Sequence, residues 1–219
     1  GSSSVKIFAI DRVLYTTALR QKNFYLKTVF PTPYTGLHEW TMSYAIKLDR
    51  NKDNQAVLSP DFYSRVTADG ALQMKVGETD DPKAFAKTKL QPGKWYYIAW
   101  VYKNQHVRCY INGVLDNEFD VPKVETFTKL NMSWGAFEGY VREIRLYDKA
   151  LTAFQIADNL YIETPDNPDL LFYAPLDKKT GIKDVSKKQN TIKVYVPGSG
   201  DGTEYDQSLI TWSNEKFPE

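Results

Sequence analysis

The amino-acid sequence predicts an all-β protein built from two antiparallel sheets packed as a sandwich. Strand-like runs recur along the chain, and turn signals such as Asp69-Gly70 and Asn112-Gly113 separate them at intervals of about 8 to 12 residues. A parallel sheet would need long helices between its strands. The length of 219 residues also suits one sandwich domain, which can reach about 200 to 250 residues.

The first clear strands lie between residues 39 and 76. In EWTMSYAIKL, apolar residues at every second position share one face of a strand; they are Trp40, Met42, Tyr44 and Ile46. The segments AVLS, FYSRVT and ALQMKV follow as shorter strands, with Ser59-Pro60 and Asp69-Gly70 as turns between them.

A three-stranded meander follows. The apolar run WYYIAWVY is joined by the turn KNQ to HVRCYI, and Asn112-Gly113 suits the tight turn that leads into VLDNEFDV. Cys109 and His106 are three positions apart on the middle strand, so they point to opposite faces. We expect Cys109 in the core and His106 at the surface, which prevents these two residues from forming a catalytic dyad.

One short helix is predicted after Leu151. Thr152 and Gln155 have the spacing of a capping box, and Leu151 and Ile156 have that of a hydrophobic staple. Because so short a helix is unstable alone in water, we expect it to dock its apolar side on the sandwich, as a lid on one open end of the core. The residues predicted to dock are Phe154, Ile156 and Leu160.

Several of these segments together resemble a known family. The order of WTMSYAIKL, DGALQMKVG, GKWYYIAWVY with VRCYINGVL, and FEGYVREIRLYDKALTAFQI is similar to the laminin G-like jelly rolls of the concanavalin A-like lectin and glucanase superfamily. The resemblance covers about Trp40 to Leu160 and implies a jelly-roll sandwich with a carbohydrate-binding function. Arg142 stands where the family usually has an aspartate, which argues against a calcium site at that position.

The chain is expected to divide at Thr164 to Asp169, a segment rich in turn-forming residues. Residues 1–163 would form the laminin G-like sandwich. Residues 164–219 contain strand-like segments that resemble the opening strands of the family, but they are too few for a second core. We expect them to complete the same sandwich or to be appended to it.

Composition excludes some partners. The 28 basic and 27 acidic residues give a net charge of +1, so no field of one sign would attract nucleic acid or an anionic membrane. No apolar run is long enough to span a bilayer. The lone Cys109 cannot form an internal disulfide, so cysteine usage does not indicate a compartment.

The resemblance implies an extracellular or cell-surface bacterial protein, with a signal peptide or lipid anchor removed before the GSSS start.

Catalytic patterns are missing from the sequence. Glucanases need two carboxylates that face one cleft, whereas Glu138 and Glu143 are five positions apart and fall on opposite faces of a strand. The segment GSGDG at 198–202 lacks the Lys-Ser/Thr of a phosphate-binding loop. We therefore predict no catalytic residues.

Aromatic residues make up 14% of the chain, and rings near predicted turns are candidates for stacking on sugars. The predicted carbohydrate-binding residues are Trp134, Tyr63, Asp61, Tyr34, Phe85 and Trp212. Packing over the sandwich edge is the alternative for Trp134, and packing in the core or at its rim is the alternative for the other rings. Trp40 and Trp95 are assigned to packing, and Trp100 is left open.

No metal site and no cofactor are predicted, with one calcium candidate as the alternative. Asp49, Asn51 and Asp53 match the first three ligand positions of an EF-hand loop. The sixth position is Asn54 instead of Gly and the twelfth is Pro60 instead of Glu. A polar turn is the simpler interpretation.

The sequence therefore predicts a non-catalytic, lectin-like domain that binds a glycan or polysaccharide on a bacterial surface or in a secreted protein. The alternative is a protein-interaction or structural domain of a surface lipoprotein. A glycoside hydrolase is the third hypothesis, because carboxylates from different loops could still meet.

Overall fold

The computed structural model describes residues 17–53, 55–59, 62–76, 85–132, 137–159 and 164–214. Within these ranges the chain forms strands, one α-helix and a short 3₁₀ helix at Gln207–Leu209. The strands are β1 (Ala18–Gln21), β2 (Tyr25–Tyr34), β3 (Glu39–Leu48), β4 (Gln55–Ser59), β5 (Phe62–Val66), β6 (Ala71–Val76), β7 (Phe85–Lys89), β8 (Trp95–Lys103), β9 (His106–Ile111), β10 (Val114–Asp120), β11 (Phe127–Met132), β12 (Gly139–Tyr147), β13 (Leu170–Ala174), β14 (Lys193–Tyr195) and β15 (Trp212–Ser213). The helix is α1 (Ala153–Asn159).

The strands form two antiparallel sheets, which confirms the predicted two-sheet sandwich. The eight-stranded sheet has the order β10-β9-β8-β3-β12-β1-β15, and β13 pairs with β12 beside β1. The seven-stranded sheet has the order β14-β2-β11-β4-β5-β6-β7. β8, β9 and β10 pair as the predicted meander.

The core between the sheets is built around Trp40 on β3. Its ring stacks on Tyr102 at a centroid distance of 5.2 Å and on Phe62 at 4.9 Å, and Phe127 packs edge-on against it. Its indole Nε1 donates to the carbonyl of Val124 at 2.7 Å, so the one polar atom of the ring is satisfied. These rings come from both sheets and fix the spacing between them.

Burial also settles several individual predictions. Trp40 and Trp95 are buried, as expected for packing residues, and so is Trp100, which the sequence left open. Cys109 is fully buried and His106 is half-buried, which confirms that they face opposite sides of β9.

Side chains bridge the two sheets at the edge formed by β7 and β10. The Asp116 carboxylate accepts hydrogen bonds from the backbone N–H groups of Lys87 and Thr88, and Asn117 Nδ2 donates to the carbonyl of Phe85 at 2.7 Å. These bonds satisfy backbone groups of an edge strand that would otherwise be open to pairing with another chain.

The C-terminal segment joins both sheets. β13 pairs with β12, β14 with β2, and β15 with β1. The loop that follows β13 is held by the buried Asp184 carboxylate, which accepts from the backbone N–H groups of Tyr173, Ser186 and Asn190. In the described ranges, residues beyond 164 therefore supply strands to the same sandwich.

The helix forms as predicted but docks differently. Its capping box is present, because Thr152 N–H donates to Gln155 Oε1 and Gln155 N–H donates to Thr152 Oγ1. Ile156 and Leu151 pack together in one buried cluster with Tyr97 and Tyr147. Tyr97 alternates along β8 with core-facing residues, so the helix covers the outer face of the eight-stranded sheet instead of an open end of the core.

The predicted docking of Phe154 is wrong, since 86% of this side chain is exposed. Two positions along an α-helix correspond to about 200°, so Phe154 and Ile156 cannot face the same surface. Leu160 lies outside the described residues. In the described ranges no helix has the length and apolar character of a membrane span.

Candidate functional site

The outer face of the eight-stranded sheet carries a buried aromatic cluster. Its aromatic side chains are buried and pack with Leu151 and Ile156 beneath the helix; they are Trp95, Tyr97, Tyr110, Tyr147 and Tyr173. Because these rings are buried, they serve packing and are not available to stack on a sugar.

A buried charged network lies under the same cover, at a β-bulge in β12. Glu143 has a positive φ of 57° and a fully buried carboxylate. Its Oε1 accepts from Tyr173 Oη at 2.6 Å and from Arg145 Nη2 at 3.1 Å, and Oε2 lies 3.3 Å from Arg142 Nη2. Two guanidinium groups therefore neutralise this carboxylate, and Arg142 has a structural partner.

Glu138, the other carboxylate considered for hydrolysis, lies immediately before β12. It forms ion pairs with Arg50 at 3.6 Å and with Lys52 at 3.7 Å, and it is partly exposed. Glu138 and Glu143 thus have different partners and different exposure, which does not correspond to a pair of catalytic carboxylates sharing one cleft.

The outer face of the seven-stranded sheet has a different character. Along β5, Phe62, Ser64 and Val66 are buried and point to the core, so Tyr63 and Arg65 point outward by the alternation of a strand. The same rule places Gln73 and Lys75 of β6 outward, between the core residues Leu72, Met74 and Val76. Tyr63, Arg65 and Lys75 are half-buried, which leaves part of each side chain open to solvent.

These four outward side chains and Phe85 of β7 form a continuous group, which we name the β5–β7 patch: Tyr63, Arg65, Gln73, Lys75 and Phe85. Lys75 Nζ lies 5.6 Å from the centroid of the Tyr63 ring. Arg65 Nε donates to Gln73 Oε1 at 2.6 Å, and Phe85 is the cross-strand neighbour of Gln73. Gln73 is 2% exposed, so its amide holds the Arg65 guanidinium in place, and the accessible part of the patch consists of two half-buried rings with Arg65 and Lys75. Such a surface can stack on a sugar ring and bind its hydroxyls.

Of the four predicted site residues that lie in the described ranges, Tyr63 and Phe85 are on the same patch, and Tyr34 and Trp212 are elsewhere. Tyr34, at the end of β2, packs edge-on against Phe30 at a ring distance of 4.9 Å. Burial, followed by the charges of Asp184 and Asp148, raises the pKa of the Tyr34 hydroxyl. Tyr34 therefore belongs to the packed end of the sandwich.

Trp212 lies in β15, where it pairs with Leu19 and packs partly against the core. β15 is the last strand at one edge of the eight-stranded sheet, and the β7–β10 contact is at the other edge. Trp212 and Phe85 are therefore at opposite edges of the sandwich. Trp134 and Asp61 lie outside the described residues, so their predicted roles stay predictions.

Asp49, the first residue of the calcium candidate, forms an ion pair with Arg20. Arg20 Nη1 and Nη2 donate to the two carboxylate oxygens of Asp49, each at 2.5 Å. This contact lowers the pKa of Asp49 below its usual value. A cation would have to displace the guanidinium, and the described ranges contain no group of three His, Cys, Asp or Glu residues placed to hold a metal.

A second group of outward side chains lies at the other end of the seven-stranded sheet. We name Tyr25, Lys27, Lys129, Asn131 and Lys193 the β2–β14 patch. Lys193 is the cross-strand neighbour of Lys27, and Lys27 is also the neighbour of Asn131. The sequence analysis missed this patch because lysines in strands are common and their juxtaposition depends on pairing between segments far apart in the chain.

Comparison with known proteins identifies the family. Residues 23–157 match the profile of the concanavalin A-like lectin/glucanases superfamily, of the laminin G type. The chain belongs to this family, which confirms the resemblance found in the sequence. The match begins before Trp40, the start of the predicted span. A search of curated protein sequences found no match.

Solved structures share the fold at low sequence identity. A protein from Bacteroides ovatus ATCC 8483 that is proposed to bind carbohydrate superposes with a TM-score of 0.66 and 21% identity, over 84% of this chain and 60% of that one. A heptameric SAP-like pentraxin from Limulus polyphemus superposes with a TM-score of 0.54 and 15% identity, over 85% of this chain and 97% of that one. The chain thus spans about three fifths of the Bacteroides protein. Identities this low establish the fold alone.

Proposed function

We propose that the protein binds a polysaccharide without cleaving it, through the outer face of the seven-stranded sheet. The observation that carries the proposal is the β5–β7 patch, where Tyr63 and Phe85 flank Arg65 and Gln73. Accessible ring faces bind the C–H faces of sugars, and a guanidinium group held in a fixed position, here by Gln73, binds their hydroxyls. The Bacteroides protein, which is proposed to bind carbohydrate, supports the same class of ligand.

Two features support binding over hydrolysis. The five side chains of the β5–β7 patch include no carboxylate, whereas glycoside hydrolysis needs two acidic groups at the scissile bond. Glu143, which lies in the closing strand, is buried between two arginines and bonded to Tyr173. A binding domain of this kind would act in a secreted or cell-surface protein, where polysaccharides are found.

The test is a glycan array followed by calorimetry on the glycans that bind. We expect Tyr63→Ala and Phe85→Ala each to weaken binding by about three- to ten-fold, because a stacking ring contributes about 0.5–1.5 kcal/mol beyond its buried area. Phe154→Ala is the matched control, since this ring is 86% exposed on the helix that packs on the other sheet. Its affinity should equal that of the wild type.

Two results would contradict the proposal. Unchanged affinity in both Tyr63→Ala and Phe85→Ala, with binding intact in the wild type, would show that the ligand binds elsewhere. Release of reducing sugar from a bound polysaccharide would show that the protein is an enzyme.

A further inference from the structure

The acidic residues of the strands are distributed unevenly between the two sheets. The seven strands of the seven-stranded sheet contain no Asp or Glu. Their basic residues are Lys27, Arg65, Lys75, Lys87, Lys89, Lys129 and Lys193. Acidic residues occur instead in strands of the other sheet, including three in β10. The strands of this sheet therefore carry only basic charges, and the carboxylates that pair with them come from loops: Asp69 with Lys89, Asp201 with Lys27, and Glu204 with Lys193 at 4.0 Å.

In the β2–β14 patch these charges are close together. Lys27 and Lys193 are direct cross-strand neighbours, and Lys129 follows on the next strand beside Val29. Like charges opposite each other destabilise a sheet. An anion held between them would offset this repulsion.

The chain itself supplies such an anion. The segment 196–204 turns back after β14, and Asp201 has a positive φ of 63° at its tip. Tyr25 Oη donates to one oxygen of its carboxylate and Lys27 Nζ donates to the other. Only 4% of Tyr25 is exposed, so the hydroxyl is held in place by packing. The hydrogen bonds from Lys27 and then Tyr25, with a further contribution from Lys129, lower the pKa of Asp201.

We propose that the polysaccharide ligand is anionic, and that its acid groups bind beside Lys27, Lys129 and Lys193, where the Asp201 carboxylate now lies. This inference rests on the proposed function and specifies its ligand class. Arg65 and Lys75 of the β5–β7 patch face the same side, so one extended chain could contact both patches. Asp201 then acts as an internal competitor that the ligand displaces.

The test compares glycans that differ only in charge. Polygalacturonate and its fully methyl-esterified form share one backbone, but only the first carries carboxylates. We expect calorimetry to show tighter binding of polygalacturonate by about ten-fold or more, with a difference that shrinks as salt is added, because salt screens exposed charges. Dextran sulfate separates sulfate from carboxylate recognition, and neutral dextran gives the uncharged baseline.

Variants locate the contact. Lys129→Gln should weaken polygalacturonate binding by about three-fold, the size expected for an exposed charge pair, and leave the ester unchanged. Lys103→Gln, at the exposed end of β8 in the other sheet, is the matched control and should bind like the wild type. Asp201→Asn removes the internal anion and should strengthen polygalacturonate binding. Thermal unfolding of each variant verifies that it is folded.

The outcomes separate the two proposals. Binding of the ester as tightly as the acid, or equal losses in Lys129→Gln and Lys103→Gln, would overturn the anionic ligand and leave carbohydrate binding standing. Equally tight binding of a single-stranded oligonucleotide would also overturn it, because the face would then be a general anion-binding surface. If no glycan in the array binds, the proposed function itself fails.

Discussion

At the scale of single residues, His106 illustrates how a strand pair places charges that are distant in sequence. Its Nδ1 lies 2.8 Å from Asp120 Oδ1, and its Nε2 lies 3.0 Å from Glu118 Oε1. The register of β9 and β10 produces this arrangement, since His106 is opposite Asp120. The hydrogen bond to Asp120, more than that to Glu118, raises the pKa of His106.

This shift predicts a small pH dependence of stability. A raised folded-state pKa means that the stabilisation is fully present below the unfolded value of 6.5 and is lost as the pH rises through the folded value. His106→Gln should therefore remove part of the stability difference between pH 6 and pH 8. Because the pair is partly exposed, we expect an effect below about 1 kcal/mol. Urea unfolding at both pH values measures it, and an identical pH slope in the variant would contradict the assignment.

At the scale of elements, the helix shows which information is local. The capping box was visible in the sequence because Thr152 and Gln155 are three positions apart and bond to each other's backbone. The face by which the helix docks could not be predicted from the local sequence, because it depends on the outward side chains of β8, β12 and β13. Helical geometry alone would have excluded a shared face for Phe154 and Ile156.

Ile156→Ala and Phe154→Ala form a matched pair in this helix. Ile156 is 1% exposed, so its truncation should lower the free energy of unfolding by about 2–5 kcal/mol through lost burial and a residual cavity. Phe154 is 86% exposed, so its truncation should change stability by less than about 0.5 kcal/mol. Urea unfolding of both variants tests the docking, and a larger loss in Phe154→Ala would mean that the helix is turned the other way.

At the scale of the whole molecule, the fold could be predicted and the binding surface only in part. Alternation in EWTMSYAIKL and the turn at Asn112-Gly113 are local signals, and they predicted strands and hairpins that the structure contains. Tyr63 and Phe85 were predicted as separate candidates because each is a ring near a turn. Their meeting with Arg65 and Gln73 follows from the pairing of β5, β6 and β7, which no single segment encodes.

The position of the basic patch also could not be predicted from the sequence. Summed over the chain, basic and acidic residues nearly cancel, and this sum argued against anionic partners. The attraction of an anionic ligand depends on which face each charge occupies, because exposed charges act over a Debye length of about 10 Å. Lys27, Lys129 and Lys193 come from segments far apart in the sequence and meet only when β14 and β11 pair with β2.

The C-terminal strands contribute buried side chains to the sandwich, and their removal should therefore destabilise it. β13 contributes Leu170, Leu171 and Phe172 to buried clusters, and β14 contributes Val194. Each large apolar side chain stabilises the fold by about 1.5–3 kcal/mol when buried, and a domain has a net stability of about 5–15 kcal/mol. Removal of residues 164–219 also takes β13 from β12 and β14 from β2, so each of these strands loses one of its neighbours. We therefore expect the fragment 1–163 to lose cooperative unfolding and the amide dispersion of its NMR spectrum. Adding the fragment 164–219 in trans should restore both if the tail acts by completing the sheets, whereas cooperative unfolding of 1–163 alone would show that the sandwich does not depend on these strands.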